Sequence, residues 1–331
     1  TLPLGNLRSR VEGSDWKFYE INGHSFHELQ EVFHVVKQTP GPHFIIANTI
    51  KAQGVSFMQN FPKDGKFYKY HSGSPSDLEY ALAIKELNAK LSHNIDIHSD
   101  YIPDHYYPKP RNRSFIQVWA KLLESWGSEE SRVMALDADL SYDTGTYNFR
   151  DKFPDRYLQC GIAEQDMVSI AGGLALTGMI PVVHSFSSFL STRPAEQIYN
   201  NLTEGKYIFY IGFLAGILPS APGHSHQALS DVGIFSSFPG IKVIEPACEQ
   251  EFIDVFKNLK IGISTTYLRL GSTELPSAYL EKVDNLFIRN HGTRQVILTS
   301  GPAMTEIALK VSNNNPKIAV MTKPIINQHL S

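Results

Sequence analysis

Cysteine is scarce in this sequence: Cys160 and Cys248 are the only two among 331 residues. One disulfide is the arithmetic limit, which excludes a disulfide-stapled scaffold and makes a reducing, cytoplasmic setting the expectation. Charge is also thin, at 19% of residues with a net value of -3. That balance offers no basic field for nucleic acid or for an anionic membrane surface. Long apolar runs are missing as well. The run from Ile208 to Leu218 is too short to span a bilayer and is interrupted by Gly212 and Gly216. Internal repeats and low-complexity tracts are absent. No signal peptide is visible, and the first residue is Thr1 rather than Met, so the sequence leaves targeting open.

What is present is 42% hydrophobic residues, enough for a sizeable globular core. Strand and helix patterns alternate. Phe18 to Ile21 and Phe44 to Thr49 read as strands, Ser25 to Lys37 as a helix with Phe26, Leu29, Val32, Phe33 and Val36 on its apolar side. Ser76 followed by Glu79 is a capping box opening a helix to Leu91, with apolar Leu78, Ala81, Leu82 and Leu87. These few elements cannot cover both faces of a parallel sheet, so residues 1–92 read as the latter part of a larger domain. Residues 93–112, rich in His, Asp, Tyr and Pro, read as a surface linker. An α/β unit follows over 113–272, with strands at Arg132 to Leu136, Ile180 to His184, Tyr207 to Ile211, Lys242 to Ile244 and Thr265 to Leu270. The polar stretch 273–292 reads as a second linker. Residues 293–331 carry a strand (Gln295 to Ser300), a helix (Ala303 to Ser312) and a strand (Lys317 to Met321), the start of a third unit.

The most informative segment is Gly161-Ile162-Ala163-Glu164-Gln165. It follows a strand-like stretch, Arg156 to Cys160, and opens a helix rich in small residues. Glu164 is either a helix-start acid satisfied by backbone amides or a buried acid with a task. Its neighbours Ile162, Ala163, Met167, Ile170, Ala171, Leu174 and Ala175 leave little room for water, so a buried carboxylate there needs a hydrogen-bonding partner. Phe186 and Phe189 read alone as core packing. His71 and His226 read alone as solvated loop histidines. His224 with His226, and His24 with His27, lack the third and fourth ligands that a metal site would need. Cys160 reads as a small core residue rather than a reactive thiol.

Taken in order, several segments resemble the thiamine diphosphate-dependent transketolase family. They are Tyr19-Glu20-Ile21-Asn22-Gly23-His24, Ala47 to Val55, His71-Ser72-Gly73-Ser74-Pro75, Asp137-Ala138-Asp139-Leu140, the Glu164 segment, Ser185 to Leu190, Gly223-His224-Ser225-His226-Gln227 and Tyr267 to Gly271. The resemblance implies an α/β, parallel-sheet thiamine diphosphate-binding fold. Its pyrimidine-binding domain would be complete over 113–272, flanked by the C-terminal part of a diphosphate-binding-like domain (1–92) and the start of a transketolase C-terminal-like domain (293–331). It also implies roles. Glu164 would bond the aminopyrimidine ring, a task for an acid that holds a proton near neutral pH. Phe186 and Phe189 would flank that ring by offset stacking. His226 and His71 would meet substrate and cofactor, and Asp139, Leu140 and Ile162 would line the cofactor pocket. Thiamine diphosphate would bring the carbon–carbon bond chemistry, and the protein orientation and electrostatics.

The departures matter as much. The family's diphosphate is held through Mg2+ by a Gly-Asp-Gly segment and a downstream Asn, and no Gly-Asp-Gly occurs here. The metal and diphosphate ligands are therefore expected outside this sequence, on a second subunit of a homodimer or hetero-oligomer or on a missing region. Leu214 and Ala215 stand where transketolases carry a His-Asp pair. Pro222 replaces an acid that reads a sugar hydroxyl, Asp143 a phosphate-binding Ser, and Ser272 a phosphate-binding Arg. Thr192 stands at a position often aromatic or basic, which would leave that side of the ring less covered. The expected reaction is transfer of a two-carbon ketol unit from a ketose to an aldehyde, on small-molecule sugars that are not ordinary phosphates. The rivals are a deoxyxylulose phosphate synthase-like or pyruvate dehydrogenase-type reaction, and a non-catalytic subunit of such an assembly.

Overall fold

The computed structural model describes residues 5–59, 68, 70, 75–91, 114–218, 223–261, 264–273 and 276–327. They fall into two compact units, one of residues up to 107 and one from 108 onward.

The first unit contains α1 (Leu7–Glu12), β1 (Lys17–Asn22), α2 (Phe26–Gln38), β2 (His43–Asn48), α3 (Ser56–Gln59) and α4 (Asp77–Asn88). β1 and β2 pair in parallel. The capping box at the start of α4 forms as the sequence predicts, with Ser76 and Glu79 exchanging side-chain and backbone hydrogen bonds. The apolar stripes predicted for the two long helices are mostly uncovered within this unit. Phe26 is 90% exposed and Leu78 71%, while Val32 and Ala83 are buried. A two-stranded sheet is too narrow to cover two amphipathic helices.

The second unit opens with α5 (Phe115–Glu129) and β3 (Val133–Asp137) and continues through α6 (Tyr147–Lys152), β4 (Tyr157–Gln159), α7 (Glu164–Leu176), β5 (Ile180–Phe186), α8 (Ser187–Thr192), α9 (Ala195–Thr203), β6 (Phe209–Ala215), α10 (Asp231–Ser237), β7 (Lys242–Ile244), α11 (Glu249–Ile261) and β8 (Thr266–Gly271). Its six strands are all parallel, in the order β4-β3-β5-β6-β8-β7. All residues of β3 and β5 are buried, as a sheet covered on both faces requires. Alternation within these runs feeds two separate cores. Val133, Ala135, Val182, Phe209, Ile211 and Leu268 pack with Trp119 and Phe252 on one face. Leu136, Val183, Tyr210 and Tyr267 pack with Met167, Ile198 and Phe235 on the other. Gly172 of α7 serves close packing: a Cβ there would lie 2.1 Å from Asn201 Oδ1, and Asn201 Nδ2 donates to the carbonyl of Val168 at 2.8 Å.

The chain then forms β9 (Glu281–Val283), β10 (Leu286–Asn290), β11 (Gln295–Thr299), α12 (Pro302–Asn313) and β12 (Ile318–Thr322). These strands build a mixed sheet in the order β11-β12-β10-β9. The stretch expected to be a linker therefore holds a hairpin, turning at Asp284 (φ 51°) and joined antiparallel to β12 through β10. Backbone bonds tie this sheet to the six-stranded one: Glu245 N–H to Pro324 O at 2.8 Å and Ile326 N–H to Val243 O at 3.0 Å. Among the described residues, no helix is long and apolar enough to cross a membrane.

Candidate active site

Strand order reverses between β3 and β5: the chain leaves β3 for one neighbour, β4, and later returns to the other, β5. In open parallel sheets, ligands bind outside the carboxyl ends of strands at such a switch point. Most of the residues singled out from sequence lie at these ends. Asp139 and Leu140 follow β3, Glu164 follows β4, Phe186 ends β5, Phe189 lies in α8, and His226 closes a single 3-10 turn (His224–His226) after β6.

Glu164 is the first residue of α7 and is 4% exposed. Gly161, at φ 72°, turns the chain into the helix, a conformation that costs glycine little. Among the described residues, no backbone amide satisfies the carboxylate. Its partner is Arg193, whose Nη1 donates to Oε1 at 2.5 Å. The sequence reading missed Arg193. It is fixed again through its backbone carbonyl, which accepts from Gln165 Nε2 at 3.2 Å. Its guanidinium carbon stands 3.7 Å from the centroid of the Phe189 ring. The side expected to be less covered because of Thr192 is thus occupied by the next residue. The available signal was the unmet need of a buried carboxylate for a donor.

Phe189 leads to the rest of the cluster. Its ring lies 5.6 Å from that of Phe186 and 5.0 Å from that of His226, and Phe186 and His226 are 5.7 Å apart. Ser225 Oγ lies 3.0 Å from His226 Nδ1. Glu164, Arg193, Phe189, Phe186 and His226 therefore form one connected group of a buried acid, a cation and three rings.

Asp139 and Leu140 are tied to the Glu164 loop through Gln159. Its Oε1 accepts from Asp139 N–H at 2.8 Å and Gly161 N–H at 3.0 Å. Asp139 takes a left-handed φ of 65°. The turn is anchored by Asp137, which is fully buried and accepts from Leu140 N–H at 2.6 Å, Thr144 Oγ1 at 2.7 Å and Thr146 Oγ1 at 3.2 Å. Burial pushes the Asp137 carboxyl up and these donors pull it back, with burial prevailing. Leu140 packs on the same core as Phe186. Ile162 is 71% exposed. His71 lies outside the described residues, as does Pro222.

His184 and Arg269 of this unit are held by other groups of the protein. His184 is fully buried, accepts from Trp119 Nε1 at 3.0 Å and contacts Leu136 O through Nδ1 at 3.0 Å. Burial pushes its pKa down to about 4, which fits a neutral ring donating through Nδ1. Near the carboxyl end of β8, Arg269 donates to Asp231 Oδ2 at 2.8 Å, to Glu245 and, at 3.5 Å, to Ala228 O. Tyr267 also donates to Asp231 Oδ2, at 2.7 Å. Arg269 thereby fixes the chain just beyond His226. Leu214 adopts φ 52°, and Ala215 and Gly216 bridge to Ala228. A cavity of about 540 Å³ lies between the ends of β6 and β8 and helix α12, lined by Ile217, Leu218, Arg269, Thr273, Ser300 and Met304 among others. None of the acid–ring cluster lines it. Among the described residues, no three His, Cys, Asp or Glu side chains converge as metal ligands.

Comparison with known proteins places this geometry. The family description "Transketolase, pyrimidine binding domain" matches residues 112–272. The curated 1-deoxy-D-xylulose-5-phosphate synthase of Clostridium perfringens (strain 13 / Type A) is 26% identical over 267 residues, covering 80% of this chain and 38% of that protein. The protein of the same name from Neisseria gonorrhoeae (strain ATCC 700825 / FA 1090) is 28% identical over 315 residues, covering 92% of this chain and 46% of its own. The chain spans less than half the length of these relatives. Among solved structures, a split-gene transketolase described as an inactive beta4 tetramer is 27% identical with a TM-score of 0.54, covering 63% of this chain and 70% of that one. The transketolase of Campylobacter jejuni subsp. jejuni NCTC 11168 shares the fold with a TM-score of 0.56 at 18% identity, covering 96% of this chain and 58% of that one. The six-stranded parallel unit, with its buried Glu164 at the switch point, is a pyrimidine-binding domain of the thiamine diphosphate-dependent transketolase family.

Proposed function

We propose that this chain contributes the pyrimidine half of a thiamine diphosphate site in an enzyme that moves a two-carbon ketol unit from a ketose to an aldehyde. The observation that carries the reading is the half-satisfied carboxylate of Glu164. One oxygen is held by Arg193, no other described donor reaches the carboxylate, and Phe186, Phe189 and His226 gather beside its partner. A buried acid with a free oxygen next to flat rings fits a nitrogen heterocycle that stacks and hydrogen-bonds at one edge. When bound, thiamine diphosphate supplies the carbanion chemistry of carbon–carbon cleavage. The chain's own residues do the rest. Glu164 fixes the ring nitrogen and its proton, Phe186 and Phe189 fix the ring plane, and His226 meets the substrate oxygens. Asp139, Leu140 and Ile162 complete the pocket wall.

Magnesium and the diphosphate are held from outside this chain in this reading, by a second subunit of a homodimer or hetero-oligomer or by another region of a longer polypeptide. The absence of Gly-Asp-Gly from the sequence and the likeness to a split-gene transketolase support it. Residues 1–92 and 293–331 are then partial diphosphate-binding-like and C-terminal-like domains. The substrates are read as unphosphorylated, because Asp143 and Ser272 replace phosphate ligands. Full activity with phosphorylated pentoses in steady-state kinetics would remove that part.

A second reading, a deoxyxylulose phosphate synthase-like reaction, is favoured by the names of the curated relatives. Donor competition separates the two in the assembled protein. Turnover of hydroxypyruvate supports ketol transfer, and turnover of pyruvate with an aldehyde supports the synthase-like reaction. Glu164→Gln tests both against a non-catalytic subunit, since activity untouched by that change would exclude a catalytic site here.

A further inference from the structure

The contact between Arg193 and Glu164 has two features that a structural ion pair does not need. Arg193 keeps 41% of its side chain exposed while Glu164 keeps 4%, so the pair is sealed on the acid's side and open on the cation's. The same guanidinium lies over the Phe189 ring at 3.7 Å. One side chain thus touches both the group that would bond a ligand's edge and a group that would stack on its face. Its position is set from α7 itself, through the bond from Gln165 Nε2 to its carbonyl, and by its own N–H, which donates to Phe189 O at 3.0 Å. α7 and the end of α8 are clamped to each other at this point.

We propose that Arg193 is a positioning residue for the ring-binding edge of the site. It engages Oε1 of Glu164, leaving Oε2 as the oxygen offered to the ligand, and it fixes the angle between the carboxylate and the Phe189 ring. The ligand this geometry takes is a flat nitrogen heterocycle, neutral or cationic, whose ring nitrogen shares one proton with Glu164. An anionic ring is rejected by a buried acid. A single charge-assisted bond to one oxygen also demands less of the donor's shape than a bidentate fork. Lysine should therefore replace part of the function where methionine cannot. The inference rests on the pyrimidine-site reading above.

The test uses thiamine, without its diphosphate, titrated into the full chain and followed by calorimetry or ligand-observed NMR. Arg193→Met is expected to weaken thiamine binding at least tenfold, and Arg193→Lys to recover part of that loss. In a Glu164→Gln background, Arg193→Met should add little, because the partner it positions has already been changed. Binding by Arg193→Met equal to wild type overturns the inference and leaves the pyrimidine site standing. Losses from the two substitutions that simply add would assign Arg193 a general structural role and also overturn it. If wild type binds no thiamine, both the inference and the reading beneath it fall. Should Arg193→Met not fold, Arg193→Lys decides alone, and the same affinity in both backgrounds as their parents counts against the proposal.

Discussion

Glu164 and Glu251 are both buried acids near an arginine, and they are held in opposite ways. Glu251 has each oxygen occupied: Oε1 accepts from Ala247 N–H at 3.1 Å and Oε2 from Thr322 Oγ1 at 2.6 Å, with Arg289 Nη1 3.8 Å away. Arg289 is itself enclosed, donating to Cys248 Sγ and Ser277 O. This cluster joins α11 to β10 and β12, so it fastens one sheet to the other. Among the described residues Glu164 has one partner, and that partner is partly in solvent. Glu251 is a fastening, whereas Glu164 keeps an oxygen open beside aromatic rings, the oxygen that the proposed function assigns to a ligand.

Removing either acid should expose this difference. Glu251→Ala is expected to cost about 3–5 kcal/mol of unfolding free energy, because Arg289 would be left as an uncompensated buried charge. Urea denaturation measures it, and a loss below about 1 kcal/mol would mean that the cluster does not fasten the sheets.

The next effect is pH-dependent. Burial raises the Glu251 pKa from 4.5 to about 6, so its contribution is fully present below about pH 4.5 and is lost as pH rises through about 6, roughly 2 kcal/mol in all. His184 works the other way. Its folded pKa of about 4 lies below the ordinary 6.5, so its contribution is present above about pH 6.5 and is lost as pH falls toward 4. The two oppose each other between about pH 4.5 and 6. Glu251→Gln should therefore leave a stability curve that falls steadily with acid across that window. His184→Asn should leave one that falls with rising pH. Denaturant midpoints at several pH values distinguish the slopes. Thr322→Val, which removes one donor to Glu251, should cost about 1–3 kcal/mol. The smallest stability effect is expected at the open pair: Glu164→Gln should change unfolding by no more than about 1 kcal/mol. On the proposed function it should nevertheless lower turnover in the native assembly about a hundredfold or more.

The sequence made the six-stranded unit legible because strands covered on both faces read as apolar runs, as Ile180–Phe186 does. Local signals were equally plain, the Ser76–Glu79 capping box among them. The hairpin Glu281–Asn290 was illegible for a physical reason. β9 is exposed throughout, and in β10 the inward positions are Phe287 and Arg289, so a buried arginine breaks the apolar alternation. The acid and rings of the site were legible as motifs, and their convergence follows from strand order. Arg193 was not, because its partner lies 29 residues away and nothing in a linear pattern records a contact across two helix ends.

The most direct test of the central claim is the affinity of the native assembly for thiamine diphosphate with magnesium, measured by calorimetry for wild type and Glu164→Ala. The account predicts saturable binding by wild type and at least a tenfold loss in the variant. Equal affinity in the two proteins would contradict it, since the open oxygen of Glu164 would then have no ligand to receive.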